Sequence, residues 1–144
     1  MTPEPSEETI LHASCVAVSG RGVLILGASG AGKSGLALQL MALGAELVAD
    51  DRTRVIRRDD SVIARAPAAI AGRIEARGLG ILGAEALAEA PVRLVVDLDR
   101  PEPDRLPPLR EYRLLGLAVP LCHRSETVHF PAAIIQYVRG GRIA

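Results

Sequence analysis

Eight residues, Gly27-Ala28-Ser29-Gly30-Ala31-Gly32-Lys33-Ser34, match G-x-x-x-x-G-K-[ST] at every fixed position. Each fixed type has a chemical reason. The glycines let successive backbone N–H groups curl around phosphate oxygens. A helix that follows turns its positive end toward the same anion. Lys33 can reach the β- and γ-phosphates, and the Ser34 hydroxyl is a hard oxygen ligand suited to Mg²⁺. The pattern implies a nucleoside triphosphate, with Mg²⁺. Lys33 is also the one lysine among 17 lysines and arginines. A slim ammonium on a flexible stem fits among phosphates where a broad guanidinium does not.

Other residues could complete such a site. Asp50 and Asp51 follow the apolar run Glu46 to Ala49. That run reads as a strand lying beside the P-loop strand, which puts both carboxylates at the sheet's carboxyl edge. A carboxylate there holds Mg²⁺ through water, or takes a proton from an attacking hydroxyl. An acidic surface turn is the plainer alternative. His12 stands shortly before the first strand, although a lone histidine is more often structural. Glu75 and Arg77 alternate within Ile74-Glu75-Ala76-Arg77-Gly78-Leu79-Gly80, where glycines allow backbone to approach a ligand. The same alternation also fits a solvated strand face.

The chain of 144 residues suits one compact domain. With 49% apolar residues but one Phe, two Tyr and no Trp, the core must be built from Leu, Ile, Val and Ala. Base stacking along single-stranded nucleic acid has almost nothing to use. A formal net charge of zero gives no general attraction to nucleic acid or to an anionic membrane. Cys15 and Cys122 lie far apart without metal-like spacing, and read as reduced, buried and cytosolic. No apolar run approaches the ~20 residues that span a bilayer. Met1 to Thr9 is acidic and proline-containing, without the apolar stretch of a secretory signal. A cytoplasmic protein is expected, with a flexible tail over 1–9 and a single domain over 10–144.

The elements that must position these residues follow from pattern. Residues 15–18 and 23–26 are β-prone, with a hairpin turn over 19–22. Leu36, Leu40 and Leu43 have helical spacing, and Gly44 is a natural stop. Residues 52–57 and 61–65 form a second hairpin turning at Asp59 and Asp60. Residues 67–82 show no clear period, and 85–89 suggest a helical turn or two. Residues 92–98 are a strand, and the four prolines of 101–109 require a loop. Residues 112–121 give one or two strands broken near Gly116. Residues 132–138 close the chain as a helix, with Pro131 in its first turn.

Taken together, His12, the Gly27 to Ser34 loop, Leu47-Val48-Ala49-Asp50-Asp51 and Ile74-Glu75-Ala76-Arg77-Gly78-Leu79-Gly80-Ile81 resemble the catalytic domain of HPr kinase/phosphorylase. The Val-Ala-Asp-Asp and Glu-x-Arg-Gly-Leu-Gly elements are more specific than the P-loop. The match covers about residues 10–100 well and the rest weakly. The length is similar to the short alphaproteobacterial form that lacks the N-terminal domain. The resemblance implies an α/β fold, a single P-loop kinase domain of the HPr kinase and phosphoenolpyruvate carboxykinase-like type. Its sheet would be mixed, with a P-loop helix.

The resemblance further implies ATP and Mg²⁺ as cofactors and HPr, the phosphocarrier of the sugar phosphotransferase system, as protein partner. The reaction is transfer to a serine of HPr, with phosphorolysis of phosphoserine as its reverse. Lys33 then resembles the phosphate-binding lysine, Ser34 and Glu75 metal-site residues, and Asp51 the general base, with Asp50 beside it. His12 resembles a histidine near the phosphates, and Arg77 belongs to the Glu-x-Arg element. The family also uses an arginine after the 92–98 strand. Arg110 is the candidate, with Arg105 and Arg113 as rivals. Gly35 stands where the family has Glu, and Cys122 to Thr127 does not match its basic loop. The family's longer C-terminal helix, which touches HPr and neighbouring subunits, is unmatched, so a homo-oligomer is among the expectations and a hexamer is not. Two other functions stay open: a P-loop kinase or NTPase with another substrate, and a nucleotide-binding regulator with little turnover.

Overall fold

The computed structural model describes residues 7–144. Strands β2 (Ala13–Val18) and β3 (Arg21–Leu26) are short and almost wholly apolar. Such runs need cover on both sides. Alternate side chains supply it. Val16, Val18, Val23 and Ile25 face a cluster that includes both helices. Ala13, Cys15, Ala17 and Leu24 face a second cluster built from strands. The sheet is therefore the partition between two cores.

The remaining elements follow in chain order. Strand β1 (Glu8–Leu11) precedes β2; α1 (Lys33–Ala42), β4 (Glu46–Ala49), β5 (Thr53–Arg58) and β6 (Ser61–Arg65) follow β3. A 3-10 turn at Ala68–Ile70 leads to the hairpin β7 (Arg73–Ala76) and β8 (Gly80–Gly83). Then come β9 (Glu89–Pro101), β10 (Arg110–Leu114), β11 (Leu117–Arg124) and α2 (Phe130–Gly140). The main sheet runs β1-β5-β6-β9-β3-β2-β4, with β11 also on β9 and β10 on β11. It is mixed: β3 and β11 are parallel to β9, whereas β2 is antiparallel to β3 and to β4. The α/β architecture with a mixed sheet and a P-loop helix is as expected.

Strand β9 carries the centre. Its first residues pair with β6 and its later ones with β11. The register against β3 slips between Gly22 and Val23, passing over Arg93. This bulge reverses the alternation. Val92 and Val95 share the strand-built core, while Leu94, Val96 and Leu98 face the helices. Arg93 is left exposed at the slip.

Turns match their residue types. Ser19 and Gly20, both at positive φ (51° and 77°), join β2 to β3 as a two-residue primed turn. Helix α1 buries Leu36, Ala37 and Leu40 and ends at Gly44, whose φ of 106° suits glycine. Helix α2 has Pro131 in its first turn and buries Ile134, Ile135 and Val138.

Three expectations change. Residues 85–89 form no helical turn: Ala86 bridges to Leu47, and Glu89 already begins β9. The pull of the sheet outweighs the weak local helix preference of Ala, Leu and Glu. Strand β4 does not lie beside the P-loop strand, because β2 stands between them. The two strands still run the same way, since β2 is antiparallel to both. Of the tail expected over 1–9, Glu8 and Thr9 belong to β1, which pairs with β5. Residues 1–6 lie outside the described residues. Of the cysteines, Cys15 is buried and Cys122 half-buried, and both are free. Burial pushes each thiol up to about 12.

Gly22 tests the close approach of β3 and β9. A Cβ there would stand 2.9 Å from the carbonyl oxygen of Pro91, a backbone atom with little room to yield. Gly22→Ala should lower stability in urea unfolding by about 1–3 kcal/mol. Unchanged stability would show that the two strands can part without cost.

Candidate active site

The loop between β3 and α1 is shaped by three glycines for two reasons. Gly30 and Gly32 sit at φ 87° and 102°, where a side chain is strained. Gly27 is needed for packing: a Cβ would stand 3.0 Å from the Ala31 Cβ and 3.3 Å from the Leu98 Cβ. The Ala28 N–H donates to both carboxylate oxygens of Asp99 at 3.0 Å. Lys33, buried at the helix start, donates through Nζ to the carbonyls of Gly27 (2.8 Å) and Ala28 (3.2 Å). The charge of Lys33 is thus held across the mouth of the loop.

Helix α1 starts without a capping side chain and without an acidic residue in its first turn. Among the described residues, none accepts from the N–H groups of Gly30, Gly32, Lys33 or Ser34. Unanswered donors at a helix start, beside a buried ammonium, are an arrangement made for an anion. The loop therefore fits the phosphates of a nucleotide.

Asp50 directly follows β4 and is 7% exposed. Its Oδ1 accepts from Ser34 Oγ at 2.7 Å and Ser14 Oγ at 2.8 Å, and its Oδ2 accepts from the Glu75 N–H at 2.9 Å. One carboxylate so joins α1, β2 and β7. Ser14 also accepts from the Asp51 N–H at 3.2 Å, and the Asp51 carbonyl accepts from the Ala13 N–H at 3.1 Å. These two bonds hold Asp51 at φ 67°, a left-handed conformation that Asp tolerates better than most residues. The result separates two adjacent acids: Asp50 turns into the protein, and Asp51 is exposed in a cleft.

That cleft has a volume of about 330 Å³. Ser29, Gly30, Lys33 and Ser34 line it together with Asp51, Glu75 and Arg77. Among the described residues, no three His, Cys, Asp or Glu side chains gather as a ready-made metal cage. Mg²⁺ does not need one, because it takes one or two protein ligands together with substrate phosphates and water. Ser34 and Glu75 suit that role by position. Ser34 gives its proton to Asp50, which leaves its oxygen lone pairs free for a cation.

The loop, Asp51, Glu75 and Arg77 thus come together, with Asp50 behind them. His12 is exposed and directly precedes Ala13, so the backbone places it next to Asp51. Arg110 does not reach the cleft. It makes two bonds to Glu102, at 3.2 and 3.1 Å, and lines a different cavity beneath the proline-rich segment. Arg113 turns to the Gly116 carbonyl at 3.5 Å, and Arg105 is exposed on that proline-rich segment. The arginine that lines the cleft is Arg77. Two supporting residues escaped sequence reading. Ser14 sits in an apolar run and carries no motif. Asp99 stands near the carboxyl end of β9 and Asp50 directly after β4, so its placement toward a strand's carboxyl end was a usable signal.

Residues 4–116 match the family described as HPr Serine kinase C-terminal domain. The chain belongs to this family. The matched segment contains every cleft residue named above. The chain is similar to HPr kinase/phosphorylase 1 of Oceanobacillus iheyensis, 37% identical over 142 residues, covering 93% of the chain and 44% of that protein. With HPr kinase/phosphorylase of Aromatoleum aromaticum it shares 41% identity over 133 residues, covering 83% of the chain and 42% of the relative. It thus spans less than half the length of these curated relatives. The solved structure of the Hpr(Ser) kinase/phosphatase from Coxiella burnetii superposes with a TM-score of 0.76 at 26% identity, covering 91% of this chain and 94% of that one. The family resemblance drawn from the Asp-Asp and Glu-x-Arg elements is thereby shown.

Two outcomes test this geometry. Ser14→Ala removes one bond to buried Asp50 and the acceptor for the Asp51 N–H, and should cost about 1–3 kcal/mol in urea unfolding. No loss would mean that water replaces the hydroxyl. Arg110 holds the Glu102 carboxyl below the usual carboxylate range. A depressed folded-state pKa stabilises above the unfolded value of about 4.3, and that stability is lost as pH falls through the folded value. Glu102→Gln should therefore flatten the acid limb of a stability-versus-pH curve while leaving its shape above pH 6 unchanged. An unaltered acid limb would remove the pair's role.

Proposed function

We propose that this chain is the catalytic domain of an ATP-dependent kinase that phosphorylates a serine of HPr. The observation that carries the reading is the meeting of two groups in one cleft: the anion-ready loop with Lys33 and Ser34, and the exposed carboxylates Asp51 and Glu75. The similarity to HPr kinase/phosphorylases supports HPr as the acceptor. The free thiols of Cys15 and Cys122, in opposite layers of the fold, support a reducing cytoplasmic setting.

ATP with Mg²⁺ supplies a transferable phosphoryl group whose charge is partly neutralised by the metal. The loop N–H groups and Lys33 bind and orient the phosphates. Ser34, its proton committed to Asp50, would offer lone pairs to the cation, and Glu75 of β7, which lines the same cleft, would be its second protein ligand. Arg77 adds positive charge on the same side. As the serine oxygen attacks the γ-phosphorus and the bond to the departing ADP breaks, Asp51 accepts the serine proton, because a hydroxyl is a poor nucleophile until it loses that proton. In the reverse direction inorganic phosphate takes the phosphoryl group as pyrophosphate, and Asp51 returns the proton to the departing serine oxygen. The forward direction has the stronger support. Arg124, the one arginine of the 122–127 segment, is committed to the Leu98 carbonyl at 3.1 Å and to Glu126 at 2.9 Å.

Incubation with labelled ATP and purified HPr should place label on an HPr serine. Asp51→Asn should slow transfer by roughly 10²–10⁴-fold while leaving ATP affinity nearly unchanged. A near-normal rate in that variant would remove Asp51 as the base. Loss of ATP without labelled HPr would replace HPr with another acceptor.

A further inference from the structure

The reactive side chains Asp51, Glu75 and Arg77 close one flank of the first turn of α1. A second hollow of about 450 Å³ opens on the other flank. Gly32 just before α1 and Gly35, Leu36 and Gln39 within it bound the hollow, with Leu98 in the last third of β9 and Phe130 at the start of α2. The two hollows share Gly32 and Gly35. Neither glycine raises a side chain between them, and a Cβ on Gly35 would meet nothing within 4 Å. The surface therefore runs unobstructed from the phosphate loop to Phe130.

A triphosphate in the loop has a reacting end and a nucleoside end. The reacting end must face Asp51, so the nucleoside must leave by the opposite flank. The chemistry there suits a base. Leu36, Leu98 and Phe130 offer apolar surface to a flat ring, and Gln39 is the one polar side chain on the hollow's rim. Phe130 is also the one phenylalanine of the chain. It is half-buried and packs against the helix-side core, so its ring is fixed before a ligand arrives and stacking costs little ordering entropy. Gln39 lies one turn beyond Gly35 and is exposed. Its amide carries donor and acceptor and can flip to meet either purine edge.

We infer that the hollow between the starts of α1 and α2, walled by Phe130 and rimmed by Gln39, takes the purine base of the nucleotide whose phosphates lie in the Gly27–Ser34 loop. The inference rests on the nucleotide-binding reading above. Phe130 lies beyond the segment that matches the family model. The subsite selects a purine and discriminates weakly between adenine and guanine, because the Gln39 amide serves both.

Calorimetric titration of the full chain with Mg²⁺–ATP and with Mg²⁺–tripolyphosphate, which has phosphates but no base, separates the two halves of the site. The wild-type chain should bind ATP at least tenfold tighter than tripolyphosphate. Phe130→Ala should lose roughly tenfold in ATP affinity and nothing in tripolyphosphate affinity. Phe130→Leu keeps the apolar bulk that the core uses and should lose a smaller part of the same preference. Gln39→Ala should lose a few-fold. Equal wild-type affinities for the two ligands would overturn the base subsite and leave the phosphate loop standing. So would unchanged ATP affinity in Phe130→Leu with Gln39→Ala also silent. If Phe130→Ala lost both ligands through misfolding, the leucine variant would decide. A wild-type chain that bound neither ligand would overturn the nucleotide reading itself and the subsite with it.

Discussion

A carboxylate taken out of water must have its lone pairs answered by donors, and the site depends on how Asp50 meets that demand. Its three donors come from three elements: Ser14 on β2, Ser34 on α1 and the Glu75 N–H on β7. None of these is near Asp50 in sequence. Each bond to a charged group is worth about 1.5–3 kcal/mol, and an uncompensated buried charge would cost more than any one of them. The three elements are therefore tied to one point. The P-loop helix, the acidic edge and the Glu-x-Arg hairpin cannot drift apart without exposing or orphaning that carboxylate.

This constraint divides labour between neighbours. Asp50 is consumed by structure, and that consumption is what frees Asp51. The chain turns through a left-handed residue at Asp51, whose N–H and carbonyl are both bonded to the start of β2. Its side chain needs no partner in the protein and stands in the cleft. Ser34 shows the same logic in reverse. By donating inward to Asp50 it presents only acceptor character outward, which is what a hard cation needs.

Strand polarity gives the cleft its direction. Strands β3, β4 and β9 all run the same way, since β2 is antiparallel to two of them and β3 is parallel to β9. Their carboxyl ends deliver the loop, Asp50 with Asp51, and Asp97 with Asp99 to one edge of the sheet. Helix α1 rises between two flanks of that edge, acidic and polar on one side and apolar on the other. A ligand with a charged reactive end and a flat apolar end is matched by that asymmetry.

Local rules made much of this legible. The P-loop could be read from eight residues because each of them serves a backbone or phosphate requirement that operates within the loop itself. A hairpin turn within 19–22, the hairpin turning at Asp59-Asp60, the stop at Gly44 and Pro131 in the first turn of α2 were legible for the same reason: dihedral preference acts within a few residues. The Asp-Asp and Glu-x-Arg elements were legible as a resemblance, and their meeting in one cleft depended on the fold. Sequence could not show that β2 would come between β3 and β4, because pairing order depends on which faces bury which side chains across the whole sheet. It could not show that Arg110 would pair with Glu102, since that choice depends on where the proline-rich loop folds back. Nor could it single out Ser14, an ordinary small residue within an apolar strand. The sequence by itself determined which groups could grip a phosphate. Only the tertiary structure decided which acid would be buried to hold the site and which left free to react, because burial is a property of the assembled sheet and not of the dipeptide Asp50-Asp51.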